Sequence, residues 1–387
     1  KNHRLWCLED PYLYRLTAQV TADAGEDTHE YNVRFGFRDF RVKEGYFYLN
    51  GKRIFLKSSH TGNHCPVGAI IPPAKAPDLL RKDLLYMKSC GFNTARFIAG
   101  LPYAYQLDLC DEIGLMAYEE NMASWLLAES PKMAERFDSN LREMVLRDRN
   151  HPSLVIYGLV NEMGNGALAK HSVESLGLLR SLDNTRLVLQ QSGRWDGQYN
   201  VGSLSNPGSA EWEYMWGVED PGYQGTAKNG PWGGYFEGAG DAHVYPATPH
   251  TPDIEAGIRN LGKDSKPVFL SEYGIGSLMN AVRELRYYEQ YGADPEADDF
   301  KFFKKTEELL TADWERFGMT DVYAFPEEML RASQRLHCRQ RELGFSLIRS
   351  NPKICGYNLT GMLDHGYTGE GLWTSWREFK PCIADTW

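Results

Sequence analysis

Two glutamates stand apart by their local settings. Glu162 closes the run Leu154-Val-Ile-Tyr-Gly-Leu-Val-Asn161-Glu162, and Glu272 sits in Pro267-Val-Phe-Leu-Ser271-Glu272-Tyr273-Gly274. Each follows an apolar run that reads as a buried parallel strand, so each carboxyl is expected where a strand gives way to a loop. In barrel enzymes that is where the chemistry is done. One carboxyl that gives and takes a proton, facing another that attacks carbon, can break a glycosidic bond. A separation of about 5 to 5.5 Å goes with retention, and roughly 6.5 to 9.5 Å with inversion. The proton donor of such a pair must stay protonated near neutral pH, which burial or a neighbouring negative charge arranges. The alternative is that both glutamates cap helices or pair with arginines at loop ends.

The elements that would position these residues follow from periodicity. Helical patterns over 78–90, 103–113, 132–149, 167–182 and 253–261, with more helix between 281 and 349, alternate with short apolar strands over 54–58, 93–98, 115–119, 154–160, 186–190, 242–245, 268–271 and 354–361. Eight strands separated by helices predict an α/β fold, a (β/α)8 TIM barrel, over residues 42–387. Asn50-Gly51 between apolar runs predicts a hairpin at its entrance. Residues 12–20 alternate apolar and polar side chains as a half-buried strand does, with 28–35 as its partner. Because two or three strands do not stand alone, residues 1–41 are expected to be the closing strands of an incomplete β-sandwich. Both chain ends read as cut, the last barrel helix included. The Gly-, Pro- and Trp-rich stretch 192–240, with Trp195, Trp212, Trp216 and Trp232, is too long for an ordinary connection and is expected to form an ordered wall of the site, packing being the alternative.

Composition narrows the function. Of 387 residues, 42% are hydrophobic and 24% charged, a globular profile rather than that of a disordered chain. No apolar run approaches the roughly 18 residues needed to cross a bilayer. A formal charge of -10 disfavours nucleic-acid and anionic-membrane partners, which call for clustered Lys and Arg. Ten Trp and 22 Tyr supply flat amphipathic rings suited to sugar faces, though most belong to core or rim. The seven cysteines are scattered without metal-ligand spacing, so a zinc site and a disulfide framework are not expected. Compartment, bacterial cytoplasm or periplasm, is left open, as is homo-oligomerisation.

Several motifs together resemble glycoside hydrolase family 2, which contains β-galactosidases, β-glucuronidases and β-mannosidases. Leu5-Trp6 with Pro11-Tyr12-Leu13-Tyr14 resembles the end of that family's immunoglobulin-like domain, and Gly36-Phe37-Arg38 with Leu49-Asn50-Gly51-Lys52 its entry into the barrel. Arg149-Asn150-His151-Pro152-Ser153 ahead of Asn161-Glu162, with Ser271-Glu272-Tyr273-Gly274 later, resembles its catalytic signature. The resemblance implies that Glu162 is the acid/base, Glu272 the nucleophile, and Asn161 a partner of the substrate 2-hydroxyl. It implies further that Arg96 holds the nucleophile ionised, an ordinary ion pair being the alternative. His243 and Tyr245 would line the sugar pocket, with Tyr245 donating to Glu272. Of the adjacent Glu119 and Glu120 at most one faces the pocket, since neighbours on a strand point opposite ways. Trp125 follows them. His60 and His64 come after the first strand in a pattern that differs from the family's Asn and His.

Two departures bear on the substrate. Thr360 falls about where the family places a sugar-platform Trp on the eighth strand, leaving Trp373 or Trp376 as substitutes. Where β-glucuronidases carry an Asn-x-Lys pair for the sugar carboxylate, this chain has Thr368-Gly369-Glu370-Gly371, which offers no cation. The expectation is therefore a retaining exo-β-glycosidase acting on a neutral oligosaccharide or glycoside, β-galactoside first and β-mannoside next, with no metal or organic cofactor. The rival reading is a non-catalytic carbohydrate-binding barrel or an inactive fragment.

Overall fold

The computed structural model describes residues 3–22, 28–66, 78–122, 130–163, 166–193, 202, 204–213, 235–237, 241–262, 267–365 and 368–386. Eight parallel strands form the barrel: β1 (Leu56–Thr61), β2 (Thr94–Phe97), β3 (Met116–Glu120), β4 (Leu154–Asn161), β5 (Leu187–Ser192), β6 (Asp241–Tyr245), β7 (Val268–Tyr273) and β8 (Ile354–Leu359). They pair in the order β5-β4-β3-β2-β1-β8-β7-β6, with two antiparallel stubs, Leu204–Ser205 on β5 and Tyr235–Glu237 on β6. Every residue of β4 is buried, as expected of a parallel strand covered on both faces. Among the described residues no main-chain ladder joins β5 to β6. That seam is bridged instead by the Gly193 N–H donating to the Asp241 carboxylate at 3.1 and 3.2 Å, and by a 3.1 Å bond between Ser192 Oγ and His243 Nε2.

Helices α1 (Leu79–Ser89), α2 (Ala104–Ile113), α3 (Met133–Asp148), α4 (Ala167–Glu174), α5 (Leu176–Leu182), α6 (Pro252–Asn260), α7 (Ala281–Gln290), α8 (Asp298–Arg316) and α9 (Pro326–Ser350) connect the strands. Their starts carry the expected chemistry. The Asp78 carboxylate accepts from Arg81 N at α1, Thr251 Oγ1 from Ile254 N just before Pro252 at α6, and Asn280 Oδ1 from Arg283 N at α7. The single helix expected over 167–182 is broken in two at Ser175. The main core lies between strands and helices, with Phe97, Leu107, Leu141, Val145, Leu159 and Leu270 among its members.

The three-stranded antiparallel sheet Phe40–Lys43, Tyr46–Leu49 and Lys52–Ile54 plugs the amino-terminal end of the barrel. Phe40 and Phe47 pack there with Leu56, Ile156, Leu187 and Phe269, and Trp6 joins them while its indole N–H donates to Asp111 O. The expected first strand over 54–58 is thus split, residues 52–54 serving the plug and 56–61 the barrel. Arg38 ties this end together, donating to the carbonyls of Pro152, Leu154 and Thr185. The hairpin Tyr14–Thr21 with Thr28–Phe35 forms in register, but its alternation does not bury a face: Leu16, Val20 and Tyr31 are 61%, 70% and 71% exposed.

Candidate active site

Strand register brings the polar residues together. His60 of β1 lies beside Arg96 of β2, Asn161 of β4 beside Ser192 of β5, and His243 of β6 beside Glu272 of β7. All these positions are at carboxyl-terminal strand ends. The geometry centres on Arg96, which is fully buried. Its Nε donates to Glu120 Oε1 at 2.8 Å, Nη2 to Asn161 Oδ1 at 2.7 Å, and Nη1 to Ser271 O at 2.7 Å and Glu272 Oε1 at 3.4 Å. Burial works against its charge, but Glu120, Tyr118 and Glu272 more than offset that and raise its pKa. A guanidinium fork held by three side chains fixes their mutual positions.

Glu120 and Glu119 point opposite ways, as strand alternation requires. Glu120 faces Arg96 and also accepts from Ala99 N at 2.8 Å. It fits because its ladder partner is Gly158, where a Cβ would lie 2.7 Å from Glu120 Cγ. Glu119 faces α3, where burial and Asp148 push its carboxyl well up.

His243 lies between the two glutamates singled out by sequence. Its Nδ1 is 2.5 Å from Glu162 Oε1 and 3.4 Å from Glu272 Oε2. Burial disfavours the imidazolium, yet Glu272, Glu162 and Asp241 together raise its pKa above the ordinary value. Tyr245 Oη donates to Glu272 Oε2. Burial pushes Glu272 up from the usual carboxylate range, opposed by His243, reinforced by Glu162, and opposed again by Arg96 and Tyr245. Glu162 itself adopts φ of 51°, a left-handed conformation uncommon for a non-glycine residue, which turns the chain sharply where β4 ends. Its N–H donates to Ser192 O at 2.8 Å.

Donor atoms of Glu162, His243 and Glu272 all lie within 4.8 Å of one another, close enough to share one cation. His243 Nδ1 already lies 2.5 Å from one carboxyl and 3.4 Å from the other, so the trio fits a proton-sharing site better than a metal site. Asp108, Asp111 and His151 make a second such trio at the opposite end of the barrel, where Asp111 Oδ1 accepts from Ser153 N at 2.9 Å and Oδ2 lies 2.6 Å from His151 Nδ1. Its partners are those of a strand-entry clamp.

The remaining candidates separate. His60 is buried beside Arg96, and burial with neighbouring Arg96 holds its ring neutral, its pKa well below the ordinary value. His64 is exposed and stacks on His365, centroids 4.4 Å apart. With His365, Asp364 and Ser375 it lines a cavity of about 450 Å³. Trp373 does not offer a platform. It is 0% exposed, donates its indole N–H to Asp83 Oδ1 at 3.1 Å, and packs on Tyr86 and Phe379. Trp376 is likewise buried, stacked on Tyr287 and Tyr291. Trp125, Trp195, Trp216 and Trp232 lie outside the described residues, while Trp212 packs on the main core and donates to Val173 O. Thr360 follows β8 and is 7% exposed. Ser192 and Asp241, which bridge the β5–β6 seam and bond His243 and Gly193, were missed by sequence reasoning. The polar run Gln190-Gln191-Ser192 ending an apolar strand was the available signal.

This architecture is shared with known proteins. The family description "Glycosyl hydrolases family 2, TIM barrel domain" matches residues 40–293, and "Glycosyl hydrolases family 2" matches residues 1–38. The chain belongs to glycoside hydrolase family 2. A beta-galactosidase of Alteromonas mediterranea is 31% identical over 205 residues, 51% of this chain and 19% of that protein. A beta-galactosidase of Vibrio vulnificus is 32% identical over 175 residues, 43% of this chain and 17% of that protein. The matched segments thus span less than a fifth of those relatives' lengths. Among solved structures, Bacteroides uniformis beta-glucuronidase 2 covalently bound to cyclophellitol-6-carboxylate aziridine superposes with TM-score 0.65 at 19% identity, over 99% of this chain and 41% of that one. A beta-galacturonidase from Eisenbergiella tayi bound to galacturonate gives 0.64 at 18%, over 99% and 59%. At these identities the likeness is one of fold.

Proposed function

We propose that this barrel is a retaining exo-β-glycosidase in which Glu162 is the acid/base and Glu272 the nucleophile. The observation that carries the reading is the pairing itself. Oxygens of Glu162 and Glu272 lie within 4.8 Å of one another at the ends of β4 and β7, short of the roughly 6.5 to 9.5 Å that an inverting enzyme needs to admit water. In the first step Glu272 attacks the anomeric carbon while Glu162 protonates the departing glycosidic oxygen. Glu162, now a carboxylate, then takes a proton from water, which releases the sugar from Glu272 with its configuration retained. Arg96 and Tyr245 hold the attacking carboxylate, and the bond from Arg96 orients the Asn161 amide that would meet the 2-hydroxyl.

Family membership and the beta-galactosidase relatives support a neutral β-galactoside as first substrate. The Thr368-Gly369-Glu370-Gly371 segment supports exclusion of uronides, the named substrates of the structural neighbours notwithstanding, because it carries no Lys or Arg of its own and the Arg341 and Lys380 that reach it are bonded to its carbonyls. The separate family matches over 1–38 and 40–293 support reading residues 1–41 as closing strands of a sandwich domain and 42–387 as the barrel. A panel of aryl β-glycosides tests the proposal: turnover by the wild-type chain, abolished in Glu272→Ala, is expected. Full activity in that variant contradicts it.

A further inference from the structure

A third carboxyl approaches the Glu272 side of the site from the loop after β8. An atom at the position of a Gly274 Cβ would lie 2.4 Å from Tyr245 Cε1 and 3.1 Å from Glu370 Oε1. Glu370 therefore stands beside the ring whose hydroxyl donates to Glu272. The loop is built to hold it there. Arg341 Nη2 donates to Glu370 O while its guanidinium also donates to the carbonyls of Tyr273 and Ile275, stapling the loop to the segment that follows the nucleophile. Gly369 O accepts from Ser277 N and Lys380 Nζ, and Gly371 N donates to Asp364 Oδ1. Both flanking glycines are needed for this close approach, since a Cβ on Gly369 would fall 2.0 Å from Ser277 O and one on Gly371 2.2 Å from Asp364 N.

Only the Glu370 side chain is left without an assigned partner in this clamp. Among the described residues its half-buried carboxyl accepts no hydrogen bond and forms no ion pair. An acceptor held in place with no protein donor is left available to a hydroxyl from a ligand. The surrounding cations are occupied: Arg341 on three carbonyls, Lys380 on Asp364 and Gly369 O, Arg96 on Glu120, Asn161 and Glu272, and His243 on Glu162.

We propose that Glu370 is a specificity-determining residue of the sugar pocket, accepting hydrogen bonds from hydroxyl groups of a neutral glycone and turning away a glycone that carries its own carboxylate. This rests on the reading of Glu162 and Glu272 as a glycosidase pair and names the substrate class of that pocket. Burial, opposed by Arg341 and reinforced by Glu272, pushes the Glu370 carboxyl up to about 7, so the charge repulsion operates on the alkaline side of that value.

The test uses ligands that bind without being cleaved. Dissociation constants of phenyl 1-thio-β-galactoside and phenyl 1-thio-β-glucoside, each with its uronic-acid counterpart, are measured by calorimetry above pH 7 on the full chain, Glu370→Gln and Glu370→Ala. The wild type is expected to bind at least one neutral ligand about tenfold or more tighter than its uronide. Both variants are expected to lose about tenfold in neutral affinity, the scale of a hydrogen bond to a charged group, and to bind the uronide more tightly than the wild type does, so that the neutral-to-uronide ratio narrows by more than that factor, with unchanged melting temperature. A ratio unmoved in both folded variants, equal binding of uronide and neutral ligand by the wild type, or binding of neither overturns the proposal. Turnover is read separately on aryl β-glycosides, so a chain that binds in this pattern without hydrolysis fails the catalytic reading alone.

Discussion

The two ends of the barrel carry acid–histidine trios of nearly the same composition, and they are wired differently. At the amino-terminal end Asp111 is satisfied by the Ser153 N–H and His151, while Asp108 pairs with Arg34 at 2.5 Å. At the carboxyl-terminal end Glu162 and Glu272 converge on one imidazole, and Arg96 and Tyr245 reinforce Glu272. The first trio anchors backbone where β4 begins. The second crowds two carboxyls where β4 and β7 end: burial, reinforced by Glu162, raises the Glu272 pKa, while for His243 burial lowers it and the two carboxyls raise it by more. Residue types alone do not separate a clamp from a reactive centre; the share of bonding capacity given to the main chain does.

The largest expected effect is at the reactive end. Glu272→Ala should lower turnover of an aryl β-glycoside by at least about 10⁴-fold, as loss of a covalent nucleophile does, with melting temperature unchanged or raised because a buried carboxyl is removed. Retained turnover erases the distinction between the trios. At the clamp, Asp111→Ala should cost about 2 to 4 kcal/mol of unfolding free energy, since the Ser153 N–H and His151 lose their buried acceptor. Its kcat per folded molecule should stay within about twofold, and a parallel fall in kcat would mean that the clamp also shapes the pocket.

Smaller effects sharpen the contrast. Tyr245→Phe removes a donor that holds the Glu272 pKa down, so the acid limb of the pH–rate profile should move up and kcat/KM fall about 10- to 100-fold. An unmoved acid limb would separate Tyr245 from the nucleophile. His243 has a folded-state pKa raised above its unfolded value. Its contribution to stability is therefore fully present below about pH 6.5 and is lost as pH rises through the folded value. Thermal unfolding across that range should show the difference between wild type and His243→Gln narrowing with rising pH, at a scale of about 1.4 kcal/mol per unit of raised pKa. A constant difference would mean that the imidazole is held neutral.

Much of this arrangement was legible from periodicity and motif. The eight-strand alternation and the position of Glu162 and Glu272 at strand ends follow from apolar runs, and the opposite facing of Glu119 and Glu120 follows from the strand period. Three features were not. Trp373 was expected at the pocket because its type suits sugar, yet its fate was decided by Asp83, Tyr86 and Phe379, which are distant in sequence. The alternation over 12–20 signals strand but not what covers it, and Leu16 and Val20 remain exposed. The β5–β6 seam depends on side-chain bonds from Ser192 and Asp241, and the polar run ending β5 marks one of them without showing that its partner lies about fifty residues away on β6. The signature Asn150-His151-Pro152-Ser153 to Glu162 divides accordingly. Its first half serves the clamp, its second half the site, and the strand between them spans about 23 Å at the usual rise per residue.

The central claim, that Glu272 is a nucleophile forming a glycosyl-enzyme, is tested most directly by trapping. Incubation with a 2-deoxy-2-fluoro β-glycoside bearing an activated leaving group, followed by mass spectrometry of the digested protein, should show one fluoroglycosyl group on the peptide containing Glu272 and none when Glu272 is replaced by alanine. Turnover of the same glycoside with the label on a different carboxyl, or with no covalent adduct and an inverted product anomer, would contradict it.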